Sequence, residues 1–151
     1  MADIRFYHLT RKTLEQTLPG LLEKVLDQGR RAVVMAGSKE RIQALNQMLW
    51  TYRDDSFLPH GSAKDGHAPE QPVWLTETDE NPNGADVLVL TDGAASDRFA
   101  DYKLVCLVFD GMDPEALARA RGQWKDWQAA GHGVTYWQQT DRGWTQQGAS
   151  T

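Results

Sequence analysis

KLVCLVF, residues 103–109, is a stretch in which every residue after the lysine is apolar. A strand with one solvated face alternates apolar and polar residues, whereas an unbroken apolar run is typical of a strand covered on both faces. DVLVL at residues 86–90 and RAVVMA at residues 31–36 have the same character. Strands of this kind belong to parallel sheets with helices on both faces, so the three runs predict an α/β domain.

Helical patterns and further strands separate these runs. Apolar residues recur at helical spacing over Thr13–Gln28, Lys39–Tyr52 and Asp113–Ala130. Ser38 and Asp113 are suited to cap the second and third of these helices. Additional strands are expected at Ile4–Leu9, Pro72–Thr76 and Gly133–Gln138. The alternation predicts a single doubly wound, mostly parallel, Rossmann-like sheet with helices on both faces.

Three segments are less regular. Pro19 lies inside the first helical pattern and leaves two starts open, at Thr13 or after the proline. Arg53–Gln71 is polar and contains both proline and glycine, which predicts a long surface loop. Residues 1–138 are expected to form one domain, and the polar tail Gln139–Thr151 is expected to be loosely ordered.

Composition narrows the classes of function. The chain has 151 residues and a formal net charge of −5, which argues against a protein whose whole surface binds nucleic acid. The single cysteine, Cys106, excludes a disulfide framework and a cysteine-rich metal site. The N-terminus lacks the apolar core of a signal peptide, and no run is long enough to span a membrane. A cytoplasmic protein with no membrane contact is therefore expected.

The turns after the strands lack a phosphate-binding motif. A dinucleotide fold carries a glycine-rich turn after its first strand, but here that strand leads into His8–Lys12, which contains no glycine. Gly37–Lys39 has one glycine and could hold an anion at a helix N-terminus, without the cradle or the lysine of a Walker motif. No cofactor is expected, and nucleotide binding is kept only as an alternative.

Candidate acidic and histidine sites are better explained as structure. Asp92 and Asp110 each precede a glycine after an apolar strand, which is above all a turn signal. His60 and His67 share the long polar loop, but a zinc site needs three or four held ligands, so surface histidines are the favoured interpretation. His8 has no evident partner in the sequence. The pattern therefore predicts neither an enzyme nor a metal site.

The last predicted helix carries two stripes. The one expected to pack on the sheet comprises Ala116, Ala120, Trp127 and Ala130. The other contains Leu117, Arg121 and Trp124 with Lys125 beside them, and combines two cations and an indole with little acid. It is either a solvated face with a half-buried tryptophan or a docking surface for an acidic ligand with an apolar tip, since Arg and Trp often anchor interfaces.

Two aromatic residues near the middle of the chain also admit two interpretations. Trp50 lies at the end of the second helical pattern, and Phe57 follows within a short connection. They form either a satellite cluster that closes the helix onto the sheet or an apolar floor beside the cationic stripe of the last helix.

Several short motifs carry a resemblance to a known family. They are Phe6–Leu9 (FYHL), Leu49-Trp50, Ser56–His60 (SFLPH) and the helix Ala118–Gly131 with its ARAR, WK and W residues. In these motifs, and in the order of its elements to about Trp137, the chain resembles the chi subunit of bacterial DNA polymerase III holoenzyme. The resemblance implies a small, non-catalytic subunit with a Rossmann-like sheet that has lost nucleotide binding.

The resemblance also implies partners and contact residues. Chi subunits tether the clamp loader to single-stranded-DNA-binding protein (SSB) by gripping its acidic, phenylalanine-ending tail, and many also bind the small psi subunit. Carried over by motif, Arg121 and Lys125 are expected to meet the acidic residues and the terminal carboxylate of that tail. Trp124 takes the place of an aromatic in the family's site, and Leu117 stands where another basic residue is expected.

Three further residues complete the expected tail site. Trp50 and Phe57 are at the positions where the family lines its apolar pocket, and Tyr136 on the last strand is an additional candidate. Two alternatives stay open: a degenerate nucleotide-binding α/β protein, and a chi-like adaptor for another partner such as a repair helicase. The surface that would contact psi cannot be placed by motif, and no direct DNA binding is expected.

Overall fold

The computed structural model describes residues 3–10, 12–51, 60–63, 65–140 and 143–149. The strands are Asp3–Leu9 (β1), Ala32–Met35 (β2), Gly61–Ser62 (β3), Val73–Thr76 (β4), Val87–Leu90 (β5), Leu104–Asp110 (β6), Gly133–Thr140 (β7) and Gly143–Ala149 (β8). The α-helices are Leu14–Asp27 (α1), Lys39–Thr51 (α2) and Pro114–Ala129 (α3). Within these described ranges no helix is both long and apolar enough to cross a membrane.

One sheet joins all the strands in the order β3-β4-β2-β5-β6-β1-β7-β8. Every pairing is parallel except that of β7 with β8. β1 lies inside the sheet, where Ile4 is in register with Val105 of β6 and with Val134 of β7. The predicted α/β fold with a mostly parallel sheet is confirmed.

The three helices divide between the two faces of the sheet. The connections from β1 to β2 and from β2 to β3 move toward the β3 edge, whereas the connection from β6 to β7 moves toward the β8 edge. Because parallel crossovers are right-handed, opposite directions place their helices on opposite faces. Buried residues of α1 and α2 accordingly pack with Tyr7 and Leu9, and those of α3 pack with Ile4 and Phe6. We call these the α1/α2 face and the α3 face.

Helix α1 begins before the proline. Thr13 caps it through a capping box, in which the Gln16 backbone N–H donates to Thr13 Oγ1 over 3.2 Å and the Thr13 backbone N–H donates to Gln16 Oε1 over 3.0 Å. The alternative start after the proline is therefore wrong. Pro19 is buried inside the helix, where packing of its ring offsets the backbone hydrogen bond that a proline cannot make.

The C-terminal region differs from its expectation. Residues 143–149, expected to belong to a loosely ordered tail, form β8 and pair antiparallel with β7. Gly143 has a φ of 107° at the turn, a value that glycine tolerates best. The Trp144 ring lies 4.9 Å from the Tyr7 ring and helps to hold the hairpin against the α1/α2 face.

Part of the long connection after α2 is also structured, although residues 52–59 and 64 lie outside the described ranges. His60 is 5% exposed, so the expectation of a surface histidine is wrong there, while His67 is exposed as expected. The His60 ring lies 4.6 Å from that of Trp50, and its Nε2 is 3.2 Å from the Asn46 carbonyl oxygen. These contacts seat His60 beside the edge strand β3.

Candidate functional site

Helix α3 is fixed on the sheet by its cap and by its inner face. The Asp113 carboxylate accepts a hydrogen bond from the Glu115 backbone N–H over 3.0 Å, as the sequence predicts for an N-cap. Ala120 and Trp127 are 3% and 7% exposed. The Trp127 ring lies 5.6 Å from Phe6 and contacts Phe99 as well. Ala130, which the sequence assigned to the inner stripe, is exposed where the helix ends.

The second stripe of α3 faces the neighbouring strand β7. Trp124 is partly buried, with ring centroids 5.5 Å from Phe6 and 5.8 Å from Tyr136. Leu117 is also partly buried against this face. Arg121 is exposed and lies within electrostatic range of Tyr136, since its charge acts to lower the pKa of that phenol, which burial raises. The structure therefore brings Arg121, Trp124 and Tyr136 together.

His8 of β1 belongs to the same surface, although the sequence indicates no partner for this residue. Its Nδ1 lies 2.6 Å from the Tyr136 hydroxyl oxygen, and its ring lies 5.1 Å from that of Phe109. Burial and the nearby charge of Arg121 lower the pKa of His8, while Asp110 acts in the opposite direction. One signal could have found it: His8 alternates with Phe6 and so points to the α3 face.

A glycine turn holds the imidazole in place. Gly111 follows β6, and its backbone N–H donates to the Leu9 carbonyl over 2.9 Å. A side chain at position 111 would overlap the ring of His8 and come within 2.9 Å of the Leu9 oxygen. Only glycine lets this turn pack so closely. We use the name α3–β7 surface for Leu117, Arg121, Trp124 and Lys125 of α3 with His8 and Tyr136.

Lys125 belongs to the α3–β7 surface, whereas Trp50 and Phe57, the other two predicted site residues, are not placed there. Lys125 is exposed one helical turn after Arg121. Trp50 is 49% exposed at the end of α2, on the α1/α2 face and beside the β3 edge, whereas α3 packs on β6 and β7. The expectation that Trp50 adjoins the cationic stripe is therefore wrong; its contact with His60 fits the satellite cluster instead. Phe57 lies outside the described residues.

The crevice at the carboxyl ends of the strands is a separate feature with a volume of about 650 Å³. Arg41 of α2 forms two ion pairs of 2.8 Å, one with Glu15 of α1 and one with Asp92 after β5. Asp110 accepts a hydrogen bond from the Met112 backbone N–H over 2.9 Å. Both aspartates thus act in turns or ion pairs. Among the described residues no group of three or more His, Cys, Asp or Glu side chains is placed to hold a metal.

Comparison with known proteins identifies the family. The family model described as "DNA polymerase III chi subunit, HolC" matches residues 1–135. A curated relative, the "Probable DNA polymerase III subunit chi" of Rickettsia prowazekii (strain Madrid E), is 32% identical over 90 residues. That alignment covers 60% of this chain and 54% of the relative, so the chain spans about half the length of the curated relative it matches. Since the family model extends from β1 through α3, the chain belongs to the DNA polymerase III chi subunit family.

Proposed function

We propose that this chain is a non-catalytic accessory subunit of DNA polymerase III that links the clamp-loader assembly to SSB by binding its acidic, phenylalanine-ending tail. The observation that carries the proposal is the α3–β7 surface. There an exposed guanidinium stands beside a partly buried indole and a phenol. The ligand chemistry that matches these groups is an anion joined to an aromatic side chain.

The charges of the helix support this assignment. Arg121 and Lys125 are one turn apart and exposed, on a chain whose net charge is −5. A guanidinium can hold a carboxylate through two parallel hydrogen bonds, which a lysine cannot do. A terminal carboxylate therefore suits Arg121, and acidic residues before it suit Lys125. The contact is expected to be salt-sensitive and in the micromolar range, since it has few anchors.

The aromatic groups supply the apolar half of the contact. Trp124 stands edge-on to both Phe6 and Tyr136, so its position is fixed by the sheet beneath it. A fixed aromatic loses little side-chain entropy when it binds, and edge-to-face packing with an incoming phenylalanine ring is favourable. We propose that the phenylalanine of the tail packs beside Trp124 and Tyr136 and that Trp50 does not contact it.

Calorimetry with an acidic peptide that ends in phenylalanine tests the proposal. Arg121→Ala is expected to weaken binding by about 2 kcal/mol, roughly thirtyfold. Arg119→Ala is the matched control, because Arg119 is exposed on the same helix but directs its guanidinium at Gly93. Both variants lose one positive charge, so equal losses, or no loss with Arg121→Ala, would contradict the proposal. Trp50→Ala is expected to leave binding unchanged.

A second experiment separates SSB from other partners. A pull-down from lysate with the wild-type chain and with Arg121→Ala is expected to recover SSB only with the wild type. Recovery of a helicase instead of SSB, with the same dependence on Arg121, would favour the alternative adaptor function. Recovery of SSB by both chains would move its binding site away from α3.

A further inference from the structure

The pairing of His8 with Tyr136 is not explained by a peptide site built from Arg121 and Trp124 alone. The His8 Nδ1 and the Tyr136 hydroxyl oxygen are 2.6 Å apart, and the two rings meet edge to face. The charge of Arg121 acts on both groups. A titratable imidazole is thus hydrogen-bonded to a phenol of the surface on which the carboxylate ligand is proposed to bind.

The direction of this hydrogen bond depends on the proton of His8. When the imidazole is neutral, the phenol is the better donor and the ring nitrogen the better acceptor, so the Tyr136 O–H donates to Nδ1. When the imidazole is protonated, both ring nitrogens carry hydrogen and Nδ1–H donates to the phenol oxygen. The hydroxyl hydrogen of Tyr136 is then free to donate to an anion.

The surroundings keep the imidazole in this position in both states. The turn at Gly111 packs against the ring from one side, and Phe109 lies under it at 5.1 Å. The charged groups that act on His8 are Arg121 of α3 and Asp110 of the turn after β6. Burial and Arg121 lower the pKa of His8, so the free protein holds it neutral near neutral pH.

We propose that His8 is a proton-dependent positioning residue of the α3–β7 surface: its protonation turns the Tyr136 hydroxyl into a donor to the carboxylate that pairs with Arg121. The inference rests on the proposed function. A bound carboxylate neutralises Arg121 and adds a negative charge beside the imidazole, and both effects favour the protonated ring. Binding therefore takes up a proton, and the affinity rises as the pH falls.

The size of the effect follows from linkage. Each unit by which the bound carboxylate raises the pKa of His8 strengthens binding at low pH by about tenfold relative to high pH. The ligand contributes little to this dependence between about pH 8 and pH 5.5, because its carboxylates ionise near pH 4. For a rise of one unit, the affinity is expected to increase by up to about tenfold toward the low end of that range.

Titration of a fluorescent acidic peptide ending in phenylalanine, followed by anisotropy at several pH values, tests the inference. The wild type is expected to bind more tightly at the low end. His8→Leu is expected to bind with an affinity that does not change with pH, and Tyr136→Phe with a smaller pH dependence than the wild type. His132→Ala is the matched control, because His132 packs on Phe99 and precedes β7, four positions before Tyr136. It is expected to keep the wild-type pH dependence.

The outcomes separate the two proposals. If wild type binds the peptide but its affinity is independent of pH, or if His8→Leu retains the same pH dependence, the inference is overturned and the proposed function stands. If no variant binds at any pH, the proposed function fails, and the inference fails with it. Imidazole NMR signals give an independent readout: peptide binding is expected to raise the pKa of His8 in wild type and by less in Tyr136→Phe.

Discussion

Replacement of Trp127 by alanine tests whether α3 is held on the sheet as described. Trp127 is 7% exposed, and its ring lies 5.6 Å from Phe6 and 5.0 Å from Phe99. The substitution removes an indole from between two other rings and leaves a cavity that the rigid sheet cannot fill. Buried Trp-to-Ala changes cost about 3–5 kcal/mol, a large share of the roughly 5–15 kcal/mol that stabilises a domain.

The loss is expected to appear as a large shift in unfolding. For a chain of this size each kcal/mol lowers Tm by about 2–4 °C, so Trp127→Ala should lower Tm by roughly 10 °C. Urea unfolding followed by far-ultraviolet circular dichroism measures the free energy without relying on tryptophan fluorescence. Trp50→Ala is the control, since Trp50 is 49% exposed and its truncation is expected to cost less than about 1 kcal/mol.

Equal losses for the two variants would refute the reasoning. Trp127 is packed between α3 and the sheet, whereas Trp50 is half exposed at the end of α2 on the other face. A small cost for Trp127→Ala would mean that α3 is not fixed by this cluster, and the position of Arg121 relative to Tyr136 would lose its support.

Asp113→Ala should cost about 1 kcal/mol of unfolding free energy by removing the N-cap, whereas the exposed Asp126→Ala near the end of the same helix should cost nothing. Burial raises the pKa of the Cys106 thiol to about 12, so a thiol reagent should modify it only as fast as the chain opens. Burial raises the pKa of Glu15, but backbone hydrogen bonding and Arg41 outweigh it and leave that pKa lowered. Arg41→Gln should therefore destabilise the chain by up to about 1 kcal/mol at neutral pH, and the part of this difference that comes from Glu15 should be lost as the pH falls through the lowered pKa of Glu15.

Local patterns in the sequence predict much of the fold. The unbroken apolar runs predict β2, β5 and β6 because a strand buried on both faces has no polar side to mark, and capping by Ser38 and Asp113 follows from side-chain chemistry. β8 is not predicted from the sequence, because it pairs with the edge of β7 through backbone groups. Backbone hydrogen bonds do not require an apolar pattern in the side chains of the strand.

The site was predictable in part for the same reason. Arg121 and Trp124 are neighbours on one helix, so their spacing reveals a shared face. The sequence does not predict on which side of the sheet Trp50 lies. The face on which a helix packs depends on the direction of its crossover, and this direction follows from the strand order, which local spacing does not reveal. The contact of His8 with Tyr136 joins residues 128 positions apart, and only the finished sheet brings them together.

The two ion pairs of Arg41 bear on where this fold can recognise an anion. Open α/β sheets ordinarily receive phosphates in the crevice beyond their strand ends, yet here the Arg41 guanidinium in that crevice is already neutralised by Glu15 and Asp92, which are carried by separate elements. A phosphate that engaged Arg41 would have to compete with both carboxylates, and their release would separate α1 and the β5 turn from α2. A cation on the flank of the domain, such as Arg121, can instead engage an anion without loosening these contacts.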